Sequence, residues 1–202
     1  MSFKNVEDFE KLLAKFYGSP YAVATDSCTH AIELCLRTQI QDNKKLIVPK
    51  RTYISIPFLA HKLNMSLFWQ DNNWKDYYYL EGTNIIDAAV FWKENGYIKN
   101  SLMCLSFQFQ KHLNIGRGGL ILLDDHVLYE QLSKMVYDGR IRNVAWRDQD
   151  IKEIGYHYYM TPENAVIGIN KFNTVKNKIP RKWSYLDYPD LSKMSVFKKY
   201  NF

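Results

Sequence analysis

Cysteine is scarce in this chain: three in 202 residues, Cys28, Cys35 and Cys104. An odd, low count without a C-x-x-C pair argues against a disulfide framework and for a reducing, cytoplasmic setting. No segment approaches the ~20 consecutive apolar residues of a membrane span. The opening MSFKNVEDFEKLL lacks the basic head and apolar stretch of a secretory signal. The five histidines fall into no H-E-x-x-H or similar spacing, so a metal centre is not expected. Internal repeats, low-complexity tracts and nucleic-acid-binding motifs are also lacking. What remains is a chain 47% hydrophobic and 15% aromatic, long enough to bury a sizeable core as a globular unit.

Charge is unevenly placed. Residues 171–202 hold eight Lys and Arg against Asp187 and Asp190, so their excess equals the net +6 of the whole chain and the rest is neutral. Such a basic segment is either a solvated terminus or a surface for phosphates, of a nucleotide or a nucleic acid. No motif supports the nucleic acid.

Strand and helix signals alternate through the first half. Asn5 is placed to cap a helix carrying Phe9, Leu12, Leu13 and Phe16, with Gly18 as its stop. Tyr21–Thr25 reads as a strand. Asp26 to Thr29 opens a helix with Cys28 and Cys35 near one face. Residues 46–49 and 66–69 read as strands on either side of a helix that starts at Thr52. Residues 70–82 read as loop, and 84–89 as a strand ending near Asp87. Residues 101–107 and 120–124 are apolar runs about a glycine cluster (Gly116, Gly118, Gly119). An amphipathic helix covers 126–136, residues 139–160 are irregular, and Thr161-Pro162-Glu163 starts a helix. The class is therefore α/β with a mainly parallel sheet flanked by helices. Beyond residue 175 no periodicity is visible.

The chemistry concentrates at strand ends, where open α/β sheets bind ligands. Lys111, in SFQFQKHLNIGRGG, stands at the end of a buried strand beside glycines that let backbone approach closely. A desolvated lysine there has the lowered pKa that a Schiff-base amine needs. Asp87 closes the run NIID, poised either to pair with a buried cation or to cap a helix. Ser27, Cys28 and Thr29 lie between a strand and a helix N-terminus, where free N–H groups favour a phosphate, although Ser or Thr there is ordinarily only a cap. Tyr53, in IVPKRTY, has a ring to lay on a planar ligand or into the core. A cofactor with an aldehyde, a pyridinium ring and a phosphate uses all of these with Ser106, which is the demand of pyridoxal 5′-phosphate.

These segments, in order over residues 6 to about 170, resemble the DegT/DnrJ/EryC1/StrS family of sugar aminotransferases, a fold-type-I group. TDSCTHAIELCL is similar to the family's S-G-T-x-A-L phosphate turn, and VPKRTY to its V-P-x-x-T-[FYW] segment, whose aromatic stacks on the cofactor. IIDAA resembles E-D-x-A, and SFQFQKHLNIGRGG resembles S-F-x-x-x-K-x-(x)3-G-E-G-G. IGYHYYMTPENAVIGI resembles L-G-x-N-x-R-M-T-x-x-x-A-A-x-G. The resemblance implies that Lys111 bonds the cofactor, Asp87 pairs with its ring nitrogen, Tyr53 stacks, and Ser27, Cys28, Thr29 and Ser106 hold the phosphate. It also implies a homodimer, with His157 reaching the phosphate of the neighbouring subunit, and Leu120–Asp124 as a strand running against the others. The implied reaction moves an amino group from an amino acid donor, glutamate, to a keto-sugar acceptor carried on a nucleotide.

The departures are specific. Cys28, Arg117, Val90, His157 and Tyr159 replace the family's Gly, Glu, Gln or His, Asn and Arg. Residues 1–175 are expected to form a cofactor-binding large domain, shortened between 69 and 87. Residues 176–202 are expected to be a basic tail in place of most of the small domain. The shortening leaves a second reading, a remnant that binds cofactor or a partner without turnover. A dehydratase variant fits less well, because this chain keeps the lysine. Richness in Lys, Asn, Ile and Tyr suggests an AT-rich source such as a phage.

Overall fold

The computed structural model describes residues 2–39 and 45–199. Helix α1 (Lys4–Tyr17) buries Val6, Phe9, Leu13, Phe16 and Tyr17 along one stripe. It ends at Gly18, whose φ of 75° lets the Ser19 N–H return to the Ala14 carbonyl. Asn5 is not its cap: the helix starts one residue earlier, after Phe3, which makes no side-chain cap bond. The ring of Phe3 packs instead on Tyr137 and Tyr159, so tertiary contact sets the start.

Strand β1 (Tyr21–Thr25) leads to α2 (Cys28–Arg37), capped by Ser27, whose Oγ accepts the His30 N–H. Then follow β2 (Lys45–Pro49), α3 (Ser55–Lys62) and β3 (Ser66–Gln70). Helix α3 begins three residues after the expected Thr52, whose hydroxyl is engaged by Tyr78. Next come β4 (Tyr78–Tyr79), β5 (Ile85–Asp87), β6 (Leu102–Ser106), β7 (Gly119–Leu123) and α4 (His126–Met135). Helix α5 (Pro162–Val175) starts from Thr161 with proline in its first turn, and α6 (Ser195–Lys199) is short.

One sheet has the order β1-β7-β6-β5-β4, and β2 and β3 form a separate parallel pair. In the larger sheet β7 runs against both β1 and β6, as expected of residues 120–124, while β5 is parallel to β6. Strand β4 also runs against its neighbour; it lies in the segment read as loop, and two residues are too few for a periodic signal. Alternate residues of the central strands face opposite sides. Val23, Cys104 and Ile121 join α2, α3 and α4 in one core, and Ala22, Met103, Leu105 and Leu120 join α1 and α5 in the other. Strands covered on both faces explain why these segments read as continuous apolar runs.

The segment after Val175 turns back onto the domain. Ser184 bridges to Lys75, the Asp76 N–H donates to the Trp183 carbonyl, and the Tyr185 N–H donates to the Trp74 carbonyl. Further on, the Leu191 N–H donates to Lys50, and the Leu191 side chain is buried. Residues 200–202 of the basic segment lie outside the described residues. Among the described residues no helix is long and apolar enough to cross a membrane, and no cluster of His, Cys, Asp and Glu is suited to a metal.

The start of α2 rests directly on β7 at Gly119. A Cβ added there overlaps the Ser27–Cys28 peptide, with the Cys28 nitrogen 2.5 Å away. Backbone on both sides cannot yield as a flexible side chain would. Gly119→Ala is expected to lower unfolding stability by roughly 2 kcal/mol or more, read as a fall in the urea midpoint. An unchanged midpoint would contradict this close approach.

Candidate active site

Strands β1, β5 and β6 point the same way, and their carboxyl ends open on a cavity of about 640 Å³. That edge is where ligands bind in open α/β sheets, and the volume suits a small organic molecule. Seven of the eight site residues expected from the sequence line it: Ser27, Cys28, Thr29, Tyr53, Asp87, Ser106 and Lys111. The eighth, His157, lies elsewhere. It is mostly exposed, with Nδ1 3.1 Å from Asp138 Oδ2.

Each position follows from local structure. The turn from β1 into α2 presents Ser27, Cys28 and Thr29 at a helix N-terminus, where N–H groups and the helix dipole favour an anion. Thr29 Oγ1 lies 2.6 Å from Ser55 Oγ at the start of α3, so two hydroxyls meet at one corner. Cys28 is buried and its thiol leans toward the Cys104 carbonyl at 3.6 Å. Ser106 ends β6, and a turn closed by the Lys111 N–H on the Gln108 carbonyl then brings the lysine back over the cavity. Tyr53 is 53% exposed at the rim; its ring is open to a ligand face, not packed into the core.

Asp87 ends β5 with 6% of its surface exposed. Its Oδ1 accepts the Ala89 N–H at 3.0 Å, and its Oδ2 accepts the Tyr78 hydroxyl at 2.7 Å. Burial pushes its pKa up, against the pull of Tyr78, the Ala89 N–H and Lys111. Burial pushes Lys111 the opposite way, below the ordinary lysine range, and nearby Arg181 adds to this; Asp87 and Cys28 oppose it. The Lys111 Nζ lies 5.0 Å from the centre of the Trp183 ring. Arg117 lines the cavity and pairs with Asp26 at 2.9 Å.

Several lining residues carry no local signal of their role in the sequence. Tyr78 and Thr52 form a buried pair with Oη and Oγ1 2.5 Å apart. Trp183, Asp187 and Tyr188 close the side facing Lys111, although they lie in the segment without periodicity. One long-range contact ties them to the domain, Arg51 donating to the Tyr188 carbonyl, and a local one braces them, Arg181 pairing with Asp187 at 2.7 Å while stacking on Trp183.

An amine depressed by burial, a buried carboxylate, and hydroxyls at a helix N-terminus suit one ligand that carries a carbonyl, a ring nitrogen and a phosphate. The architecture and this donor set are those of a fold-type-I cofactor-binding domain. Residues 1–79 and 86–189 match the sequence profile of the DegT/DnrJ/EryC1/StrS aminotransferase family. The chain belongs to that family, whose cofactor is pyridoxal phosphate.

It is similar to an uncharacterised protein of Methanocaldococcus jannaschii, at 24% identity over 86% of this chain and 58% of the relative. It is similar also to the UDP-4-amino-4,6-dideoxy-N-acetyl-beta-L-altrosamine transaminase of Campylobacter jejuni, at 22% identity over 51% of this chain and 27% of that protein. Among solved structures, AtS13 from Actinomadura melliaura superposes with a TM-score of 0.73 at 23% identity, covering 85% of this chain and 60% of that one. The chain thus spans about three fifths of the length of the first two of these that it matches broadly.

The depressed Lys111 has a consequence for stability. The folded state binds this proton less tightly than the unfolded state. Unfolding free energy should therefore rise with pH between the folded Lys111 pKa and the ordinary value of 10.5. Comparing urea unfolding of wild type and Lys111→Met across that window isolates the contribution, with wild type gaining on the variant as pH rises. Parallel curves would show that Lys111 is not depressed.

Proposed function

We propose that this chain acts as a pyridoxal-phosphate-dependent aminotransferase, moving an amino group from an amino acid, glutamate, to a keto-sugar carried on a nucleotide. The observation that carries the reading is Asp87 at the end of β5 and Lys111 in the turn after β6 lining one cavity, the first buried and the second partly buried. Family membership and the nucleotide-sugar transaminase among its relatives support the acceptor class.

Lys111 would hold the cofactor covalently, and its unprotonated amine is the form that attacks a carbonyl. Once displaced by the donor's amine, Lys111 would be free to take the proton from the donor α-carbon and return it to the cofactor, as base and then acid. The Asp87 carboxylate would keep a proton on the ring nitrogen. When bound, the cofactor supplies the electron sink that takes up carbanion charge. Ser27, Cys28, Thr29 and Ser106 would bind the phosphate through hydroxyls and backbone N–H groups, with Tyr53 stacked on the ring. His157, solvent-facing and outside its own cavity, would serve the site of a second copy in a homodimer.

Residues 1–175 would form the cofactor-binding unit. The segment from 176 onward would do the closing work by setting Trp183, Asp187 and Tyr188 over Lys111. Lys176, Lys178 and Lys182 would meet the diphosphate of the acceptor, joined by Arg117 and Arg181 where these exchange Asp26 and Asp187 for it.

Purified protein mixed with pyridoxal phosphate should develop a visible absorbance band that glutamate bleaches, and Lys111→Ala should lack the band. A band of equal strength in both proteins would refute the role of Lys111. No band in either would refute the cofactor assignment.

A further inference from the structure

The register of β4 on β5 sets Tyr78 directly opposite Asp87. Paired residues of antiparallel strands project to the same face, close enough for side chains to meet. Tyr78 is 4% exposed, its ring lies 5.4 Å from that of Trp74, and its hydroxyl sits between Thr52 and Asp87. A phenol has one proton. Given to Asp87 Oδ2, it leaves the phenol oxygen to accept from the Thr52 hydroxyl, so three buried groups form one chain of hydrogen bonds aimed at the carboxylate. Such chains polarise one another and strengthen in a low-dielectric site.

We infer that Tyr78, backed by Thr52, is a positioning residue that keeps Asp87 ionised and aimed at the ring nitrogen of the cofactor. The inference rests on the assignment of Asp87 made above. Among the described residues Tyr78 is the one side chain that donates a hydrogen bond to Asp87. The other titratable groups facing Asp87 are Cys28 on α2, Cys104 on β6, Tyr188 from the C-terminal segment, and Lys111. Burial keeps the two thiols and the Tyr188 phenol neutral, so Lys111 is the cation among them. When Lys111 is neutral or covalently engaged, the Tyr78 hydroxyl and the Ala89 N–H are what favour the anion.

Pyridoxamine 5′-phosphate, which needs no covalent bond to Lys111, is the probe, with affinity measured by titration calorimetry from acid to neutral pH. Tyr78→Phe keeps the buried ring and removes only the hydroxyl. It should weaken binding about tenfold near the acid end, the worth of one hydrogen bond to a charged group. Its acid limb should also move to higher pH, because a less supported carboxylate protonates earlier. Thr52→Val should shift the limb the same way by less, and provides an independent reading should Tyr78→Phe fold poorly.

A limb that stays in place in both variants, including one with uniformly weaker binding at every pH, overturns the inference. Asp87→Asn separates the two levels. If wild type binds and Asp87→Asn binds equally well, the assignment of Asp87 fails and this inference with it. If Asp87→Asn loses affinity while both supporting variants match wild type, only the role of Tyr78 fails. If wild type does not bind the probe, both fall.

Discussion

Burial of two groups of opposite charge in one cavity is the constraint on which the rest of the site depends. Water would hold both Asp87 and Lys111 charged. Withdrawn from it, the carboxylate is pushed toward its acid and the ammonium toward its amine, each partly held back by the other. An amine ready to attack a carbonyl and a carboxylate ready to keep a proton on a ring nitrogen have opposite needs. One must lose charge easily and the other must keep it. The backbone N–H and phenol aimed at Asp87 favour that second outcome, and the indole face beside Lys111 replaces water without offering it a counter-ion.

The link after β3 and the segment after α5 are not independent. The link after β3 supplies Trp74 and Tyr78, and the segment after α5 supplies Trp183 and Tyr188. They meet at the mouth of the cavity through backbone hydrogen bonds between residues 74–76 and 183–185. Neither has a hydrophobic face long enough to stand alone, and each gains its partner from the other. The site is thus bounded by aromatic side chains from segments with little regular structure, mounted on a sheet with much.

That division explains what could be read from the sequence. Buried strands announce themselves as apolar runs; Asp87 and Ser106 stand at the ends of such runs and Lys111 five residues beyond, so local text locates them. The serine cap of α2 and the proline of α5 are likewise written within a few residues. Tyr78 is different. It is the middle of three tyrosines, Tyr77, Tyr78 and Tyr79, and only the register of a two-residue strand decides which one faces Asp87. The packing of Phe3, the late start of α3 and the return of residues 183–191 are also fixed by partners far away in sequence, and no periodicity records them. The phosphate-binding role expected of His157 depends on a second copy of the chain, which local text implies only through resemblance.

The indole of Trp183 sits within a few ångströms of the amine of Lys111. A chromophore fixed at that nitrogen, absorbing where indole emits, would lie inside the range at which an excited indole gives up its energy without radiating. The wall that closes the cavity is therefore also an optical gauge of it: indole emission would fall when the lysine beside it carries such a chromophore.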